Sequence, residues 1–282
     1  MNTNNPRISL ITVCYNAESS IADTLQSARE QTYRNFEHLI VDGASKDSTL
    51  ETVRQFSDLP LVISSEPDMV IYDAMNKGIA RAHGDIIFFL NADDRLHDAG
   101  VLARAVHAFD ADPDLDILWG DVINVFQDGE RIRTSHGHIS PQTLINDSLC
   151  HQATFAHKRL FKQHGDFNTA YPVCADFDWF LRVLHGGAHY QYMNFDVAEF
   201  TRGGMHERDL GALYREKSRI RRGYLSSQVY RFNELRINLR VKRHQVSRRI
   251  KLTLCRALPV LGRCERCQRL MRRAAAKGSN GK

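Results

Sequence analysis

The stretch Ile86–Asp98, IIFFLNADDRLHD, runs apolar for five residues, stops at Asn91, and then sets two carboxylates, Asp93 and Asp94, side by side. The apolar run reads as a buried strand, and the segments before it say what kind of sheet it joins. RISLITVC (7–14) is a strand rich in β-branched residues, and SSIADTLQSAREQ (19–31) follows with Ile21, Leu25 and Ala28 at helical spacing behind Ser19 or Ser20 as N-cap. FEHLIV (36–41) is a second strand that ends in Asp42-Gly43; KDSTLETVRQFS (46–57) is a helix with Asp47 or Ser48 at its start. LVISSEPD (61–68) and IYDAMNKGIARA (71–82) repeat the alternation, and DIIFFL (85–90) closes it as a fourth strand. The order βαβαβαβ predicts an α/β fold, a Rossmann-like, mostly parallel sheet with helices on both faces.

Ligands of such sheets bind beyond the carboxyl ends of the strands. Three polar groupings fall at those ends: Tyr15-Asn16, Asp42, and Asn91-Asp93-Asp94. Clustered carboxylates repel unless a positive charge sits between them, and a divalent cation that bridges to phosphate is the simplest one.

Downstream, VLARAVHAFDADPD (101–114) reads as a helix closed by Pro113. DILWGDVINVF and RIRTSHGHI form a hairpin with Asp128-Gly129 at its turn, residues 158–164 a short helix, ADFDWFLRVLHGG a helix ended by Gly186-Gly187, and YQYMNFDVAEFT a last strand.

The 282 residues are 43% hydrophobic, enough for a sizeable core. No run approaches the ~20 apolar residues that span a bilayer. No secretion signal precedes the first strand, so the expectation is a cytoplasmic chain with reduced thiols. Cys264 and Cys267 form a lone CxxC, a metal or redox pair or else two residues of a helix surface. Charge is sharply divided. Residues 215–282 carry 21 Lys and Arg against 3 acids, whereas residues 1–214 carry 17 against 30. The basic part suits an anionic partner.

TVCYNAESSIADTLQSAREQTYRNFEHLIVDGASKDST (12–49), SEPDMVIYDAMNKGIARAHGDIIFFLNADD (65–94), HQATF (151–155) and ADFDWFLR (175–182) together resemble, in the same order, the nucleotide-sugar glycosyltransferases of family 2, which have the GT-A fold. The resemblance covers roughly residues 7–205, and its wording is similar to that of bacterial exopolysaccharide transferases of the colanic acid type. It implies a GT-A domain over 1–208; the remainder, 209–282, is mostly helix-forming and basic and reads as a C-terminal extension.

The same resemblance implies roles. Val13, Tyr15, Asn16 and Asp42 would line the nucleotide pocket, although the family often has a second acid where this chain has Gly43. Asn91-Ala92-Asp93 stands at the D-x-D element with its first acid replaced; Asp93 would contact ribose and, with Asp94, the metal, Mn²⁺ or Mg²⁺. A helix N-cap is the other use for that pair. Asp68, Asn76 and Lys77 flank a helix start near the donor, Asp68 facing sugar hydroxyls or the helix dipole, Lys77 reaching phosphate. Asp176 matches the catalytic base, with Ala175 where a Glu is usual; capping its own helix is the alternative. Asp178 points about 200° away on a helix and cannot share the task. His151, Gln152, Arg202 and His206 fall on the acceptor or diphosphate side, and Gly203-Gly204 permits a mobile loop.

The function expected is an inverting, metal-dependent hexosyl transfer from a nucleotide-sugar donor to a glycan or lipid-linked acceptor. A catalytically silent scaffold of the same fold is the alternative. A nucleotidyltransferase would need a glycine-rich basic loop that TVCYNAES lacks, and a polymerising member would carry Gln-x-x-Arg-Trp, whereas the only tryptophans are Trp119 and Trp179. Leu213, Ile220, Tyr224, Leu225, Phe232, Leu235, Leu239, Val246, Ile250 and Leu254 form a loose helical stripe among basic residues, fit for an anionic membrane at the inner face or for packing on the catalytic domain. No nucleic acid is expected as a partner.

Overall fold

The computed structural model describes residues 7–135, 137–202, 210–237 and 239. The chain divides into two compact units, residues 1–217 and 218–282. The expected boundary after residue 208 lies outside the described residues, as do His206, Gly203-Gly204, the CxxC pair and the tail residues Val246, Ile250 and Leu254.

The first unit is built on one sheet. Strands β1 (Ile8–Cys14), β2 (Phe36–Asp42), β3 (Leu61–Ser65) and β4 (Ile86–Phe89) are all parallel, with α1 (Ile21–Arg29), α2 (Thr49–Arg54) and α3 (Ile71–Arg81) between them. In space the order is β3-β2-β1-β4, so the chain winds outward one way from β1 and then returns to its other side. That reversal opens a crevice between the ends of β1 and β4.

Every residue of β1 and β2 is buried, as a strand covered on both faces must be. The two faces separate by parity. Ile8, Leu10 and Ile40 join the core with Ile21, Leu25 and Ala28 of α1 and with Val101 and Leu102 of α4 (Val101–Ala111). Ile11 and Val41 face α3 instead. Their contact requires Gly78, because a Cβ there would lie 2.6 Å from Ile11 Cγ2. Glu37, a buried acid of β2, is matched by donors that stitch three segments. Ser9 Oγ donates to it at 2.5 Å, as do the backbone amides of His83 and Gly84 at 2.5 and 3.1 Å.

Beyond β4 the sheet continues through β8 (Thr154–His157), β6 (Ile117–Val125), β9 (Tyr190–Thr201) and β5 (Arg95–Leu96). β8 is antiparallel to β4 and β6, β9 is parallel to β6, and β5 is antiparallel to β9. The parallel pairings carry most of the laddered residues, so the mostly parallel α/β architecture is as expected. The expected hairpin is present as well: β6 and β7 (Arg131–Thr134) pair antiparallel, with Gly129 at φ +79° in the turn. The helices α5 (Pro141–Leu144), α6 (Arg159–His164) and α7 (Ala175–His185) follow, and α8 (Leu210–Tyr224) contributes its residues up to Lys217 to this unit.

In the second unit, residues 227–237 are helical. Tyr230 and Ser218 join their hydroxyls at 2.8 Å, and Arg221 Nη1 lies 3.3 Å from Glu234 Oε1. No helix among the described residues is long and apolar enough to cross a membrane.

Candidate active site

A cleft of ≈ 670 Å³ lies at the reversal point, a volume suited to a small-molecule ligand. One wall is the end of β1, where Val13 is buried and Tyr15 stands 62% exposed. Asn16 follows at φ +48°, a left-handed position an Asn side chain tolerates, and its Oδ1 accepts from Lys46 N at 2.9 Å. Asn91, Ala92 and Asp93 after β4 form the adjacent wall. Tyr72 of α3, Asp176 of α7 and His151 lie across from them, and Arg202, Leu213 and Lys217 complete the rim.

The adjacent carboxylates of the opening stretch part company. Asp93 is exposed and lines the cleft. Asp94 is fully buried; its Oδ2 accepts from Gln152 Nε2 at 3.0 Å and its Oδ1 from Thr201 N at 2.9 Å. Burial, and then the charge of Asp93, raise the Asp94 carboxyl well above the ordinary value, against those two donors. Neither acid caps a helix, since α4 begins only at Val101 with Gly100 before it. Gln152, expected on the acceptor side, spends its amide on Asp94.

Asp42 is also fully buried. Ser45 Oγ and Cys14 Sγ approach its Oδ1, and its Oδ2 accepts from Ser45 N at 3.0 Å and Ser65 Oγ at 2.6 Å. It braces the loop after β2, in which Ala44 takes φ +61°, and it is absent from the cleft wall. Gly43 explains the missing second acid. A Cβ at that position would lie 3.0 Å from Asp68 Oδ2 and 3.4 Å from Tyr15 Cδ2, so the Asp68 carboxylate already fills that space.

Asp68, Asn76 and Lys77 do not line the cleft. Lys77 Nζ sits 2.7 Å from Asp68 Oδ1, 3.3 Å from Asp73 Oδ2 and 3.8 Å from Glu66 Oε1, so its charge is spent within that acidic group. Asn76 trades two hydrogen bonds with the backbone of Phe167, at 2.9 and 3.0 Å, and is a tether between α3 and the segment before α7.

Asp176 is held from three sides. Tyr72 Oη donates to Oδ1 at 2.9 Å, Phe177 N donates to Oδ1 at 2.8 Å, and His151 Nδ1 lies 3.1 Å from Oδ2. Burial alone would raise this carboxyl, but the His151 contact, the Tyr72 hydroxyl and the amide together hold it below the usual carboxylate value. Those three donors leave one of about four acceptor positions on the carboxylate open. Asp178 is nearly buried and pairs with Arg182 Nε at 2.9 Å, so the two acids of this helix do separate work.

The start of α7 is itself anchored. Glu216 of α8 accepts from Val173 N at 3.0 Å and Cys174 N at 2.9 Å. Next to it, Lys217 Nζ lies 4.8 Å from the Phe177 ring centroid at the cleft rim. Tyr72 and Lys217 are site residues the reading of the sequence had passed over. Tyr72 stood inside the IYDAMNKG wording without a role, and Lys217 was one basic residue among 21.

Among the described residues no group of three His, Cys, Asp or Glu side chains is placed to hold a metal ion. The cleft instead offers hard oxygen donors. Asp93 presents a carboxylate, and Asn91 Oδ1 has no hydrogen-bond partner among the described residues. That set fits Mg²⁺ or Mn²⁺ as such ions bind with nucleotides, through one or two protein oxygens, with phosphates and waters supplying the rest.

Comparison with known proteins gives a family. The sequence profile "Glycosyl transferase family 2" matches residues 9–169. A "PGL/p-HBAD biosynthesis glycosyltransferase" of Mycobacterium bovis BCG is 33% identical over 203 residues, which is 71% of this chain and 78% of that protein. Among solved structures, S. aureus TarS in complex with UDP superimposes with a TM-score of 0.63 at 19% identity, covering 76% of this chain and 65% of that one. The mannosyltransferase PcManGT of Pyrobaculum calidifontis, in complex with GDP-Man and Mn²⁺, does so at 0.57 and 20%, covering 77% and 62%. The structural likenesses establish the GT-A fold.

Proposed function

The chain belongs to glycosyl transferase family 2, and from that premise we propose that it is an inverting transferase that moves one sugar from a nucleotide-sugar donor to a glycan or lipid-linked acceptor, in the synthesis of a bacterial surface polysaccharide or glycolipid. The observation that carries the reading is the pairing of two acids across one cleft, Asp93 beside the end of β4 and Asp176 at the start of α7. A transferase of this class needs one acid near the leaving diphosphate and another near the attacking hydroxyl. The biosynthetic relative and the UDP and GDP-Man complexes of the structural neighbours support the substrate class.

In this reading the Tyr15 ring, exposed at the end of β1, offers a face to the nucleotide base, with Asp68 filling the space over Gly43 beside it. Arg202 and Lys217 place positive charge on the rim, where a diphosphate would lie. Asp93, with Asn91, would hold Mn²⁺ or Mg²⁺, which when bound supplies Lewis-acid stabilisation of the leaving diphosphate. Asp94 positions that loop from below through Gln152 and Thr201. Asp176 takes the proton of the acceptor hydroxyl as its oxygen attacks the anomeric carbon from the face opposite the diphosphate. A lipid-linked acceptor would present its sugar at the inner membrane face.

A panel of UDP-, GDP- and TDP-sugars, assayed with Mn²⁺ and with a chelator in the presence of acceptor glycolipid, tests the proposal. Turnover with one donor and an inverted anomeric product is expected. Asp176→Asn should abolish transfer while nucleotide binding survives; transfer retained in that variant would remove Asp176 from the chemistry. No turnover with any donor would favour the silent scaffold.

A further inference from the structure

The helical segment 227–237 is turned the wrong way for water. Its polar side packs within the second unit: Asn233 is 8% exposed, Tyr230 meets Ser218, and Glu234 meets the buried Arg221. Its apolar side looks out. Val229, Phe232, Leu235 and Leu239 are between 52 and 63% exposed. At 100° per residue these four positions share an arc of roughly 120°, so they form one stripe rather than scattered surface residues. Arg236 falls on the same arc with its guanidinium 6.0 Å from the Phe232 ring, and Arg231 is exposed at its edge.

A helix that buries the amide of Asn233 and half-buries the carboxylate of Glu234 while exposing a Val-Phe-Leu-Leu stripe has its apolar face committed to something outside the described residues. Charge identifies the occupant. Residues 215–282 carry 21 basic against 3 acidic side chains, a strong attraction to an anionic surface. An aliphatic stripe contributes nothing to contact with a phosphodiester backbone, but it is what an interfacial helix places among acyl chains while its arginines meet headgroup phosphates. We propose that the outward face of this helix, Val229, Phe232, Leu235 and Leu239 with Arg236, docks into the interface of an anionic bilayer. The inference sharpens the membrane part of the reading above by naming the surface, and it stands apart from the sugar transfer itself.

The test uses the full-length chain and sedimentation with phosphatidylcholine vesicles, with and without phosphatidylglycerol. Wild type should pellet with the anionic vesicles only. The double variant Phe232→Ser/Leu235→Ser should bind at least about tenfold more weakly, with an unchanged far-ultraviolet spectrum. Met69→Ser removes an apolar residue that is 81% exposed on the other unit and should bind as wild type does. Equal pelleting of the double variant, or equal binding of wild type to neutral vesicles, would overturn the proposal. So would a wild-type dimer in sedimentation velocity that the double substitution dissociates without any vesicle binding, since the occupant would then be a second copy. Donor turnover measured in solution on the same preparations should not change; its absence in all of them would count against the transferase reading and leave the docking result intact.

Discussion

Tyr72 and Asp176 are 104 residues apart in the chain and 2.9 Å apart in the fold, phenol to carboxylate. The tyrosine comes from the first turn of α3, the aspartate from the first turn of α7, and both line the cleft. With His151 and the Phe177 amide, this contact keeps Asp176 ionised below the ordinary carboxylate range.

The sign of its pH dependence follows. A base whose pKa is lowered stays competent in more acid solution, so the acid limb of kcat/KM should lie below that of a free carboxylate. Tyr72→Phe removes one donor to the charged form and should move that limb upward. His151→Ala should move it further, because His151 is the largest of the influences that lower this group. A pH–rate profile checks both, and an unmoved limb in both variants would remove Asp176 as the titrating group.

The parted acids predict a double dissociation. Asp93→Asn should abolish the Mn²⁺-dependent increment of nucleoside diphosphate binding in calorimetry, with stability within ~0.5 kcal/mol of wild type. Asp94→Asn should do the reverse. Its amide nitrogen would face a donor, Gln152 Nε2 or Thr201 N, at a buried position, at a cost of about 1–3 kcal/mol in urea unfolding.

His38 predicts how stability responds to acid. It is fully buried in β2 with Nε2 2.9 Å from Thr12 Oγ1, and burial lowers its pKa to about 3. The unfolded chain binds a proton below the ordinary value near 6.5, whereas the folded chain stays neutral at this site down to about pH 3. Stability is therefore lost as pH falls through that window, at about 1.4 kcal/mol per unit from this residue. His38→Gln should show a shallower slope by that amount when urea midpoints are followed across the window.

Gly78 sets two effects against each other. Glycine inside a helix costs about 1 kcal/mol relative to alanine, so Gly78→Ala would stabilise an exposed helix. Here the added Cβ meets Ile11 Cγ2 at 2.6 Å, and overpacking of that kind costs about 1–3 kcal/mol. The net expectation is destabilisation on the order of 1 kcal/mol in chemical denaturation, and a gain in stability would show that α3 can move off the sheet freely.

Much of this was readable along the chain, and the divide has a physical cause. Long alternating segments announce themselves, which is why β1 through β4 and α1 through α3 lie where periodicity puts them. β5, two residues, and β8, four residues, carry no period and exist because β9, β4 and β6 offer edges to pair with. The adjacency of Asp93 and Asp94 was plain, but their division of labour depends on Thr201, 107 positions away from Asp94. Lys77 looked available for phosphate because its three acidic neighbours, Glu66, Asp68 and Asp73, converge on it only after folding.

Glu216 adds a temporal consequence. The carboxylate that clasps the amides of Val173 and Cys174 belongs to nearly the last segment of its unit to leave the ribosome. A nascent chain that has emerged only through β9 already owns the whole sheet and Asp176, yet the turn preceding that aspartate still lacks its fastener. The cleft is therefore completed late in synthesis, with α8, whose Leu213 and Lys217 also close its rim.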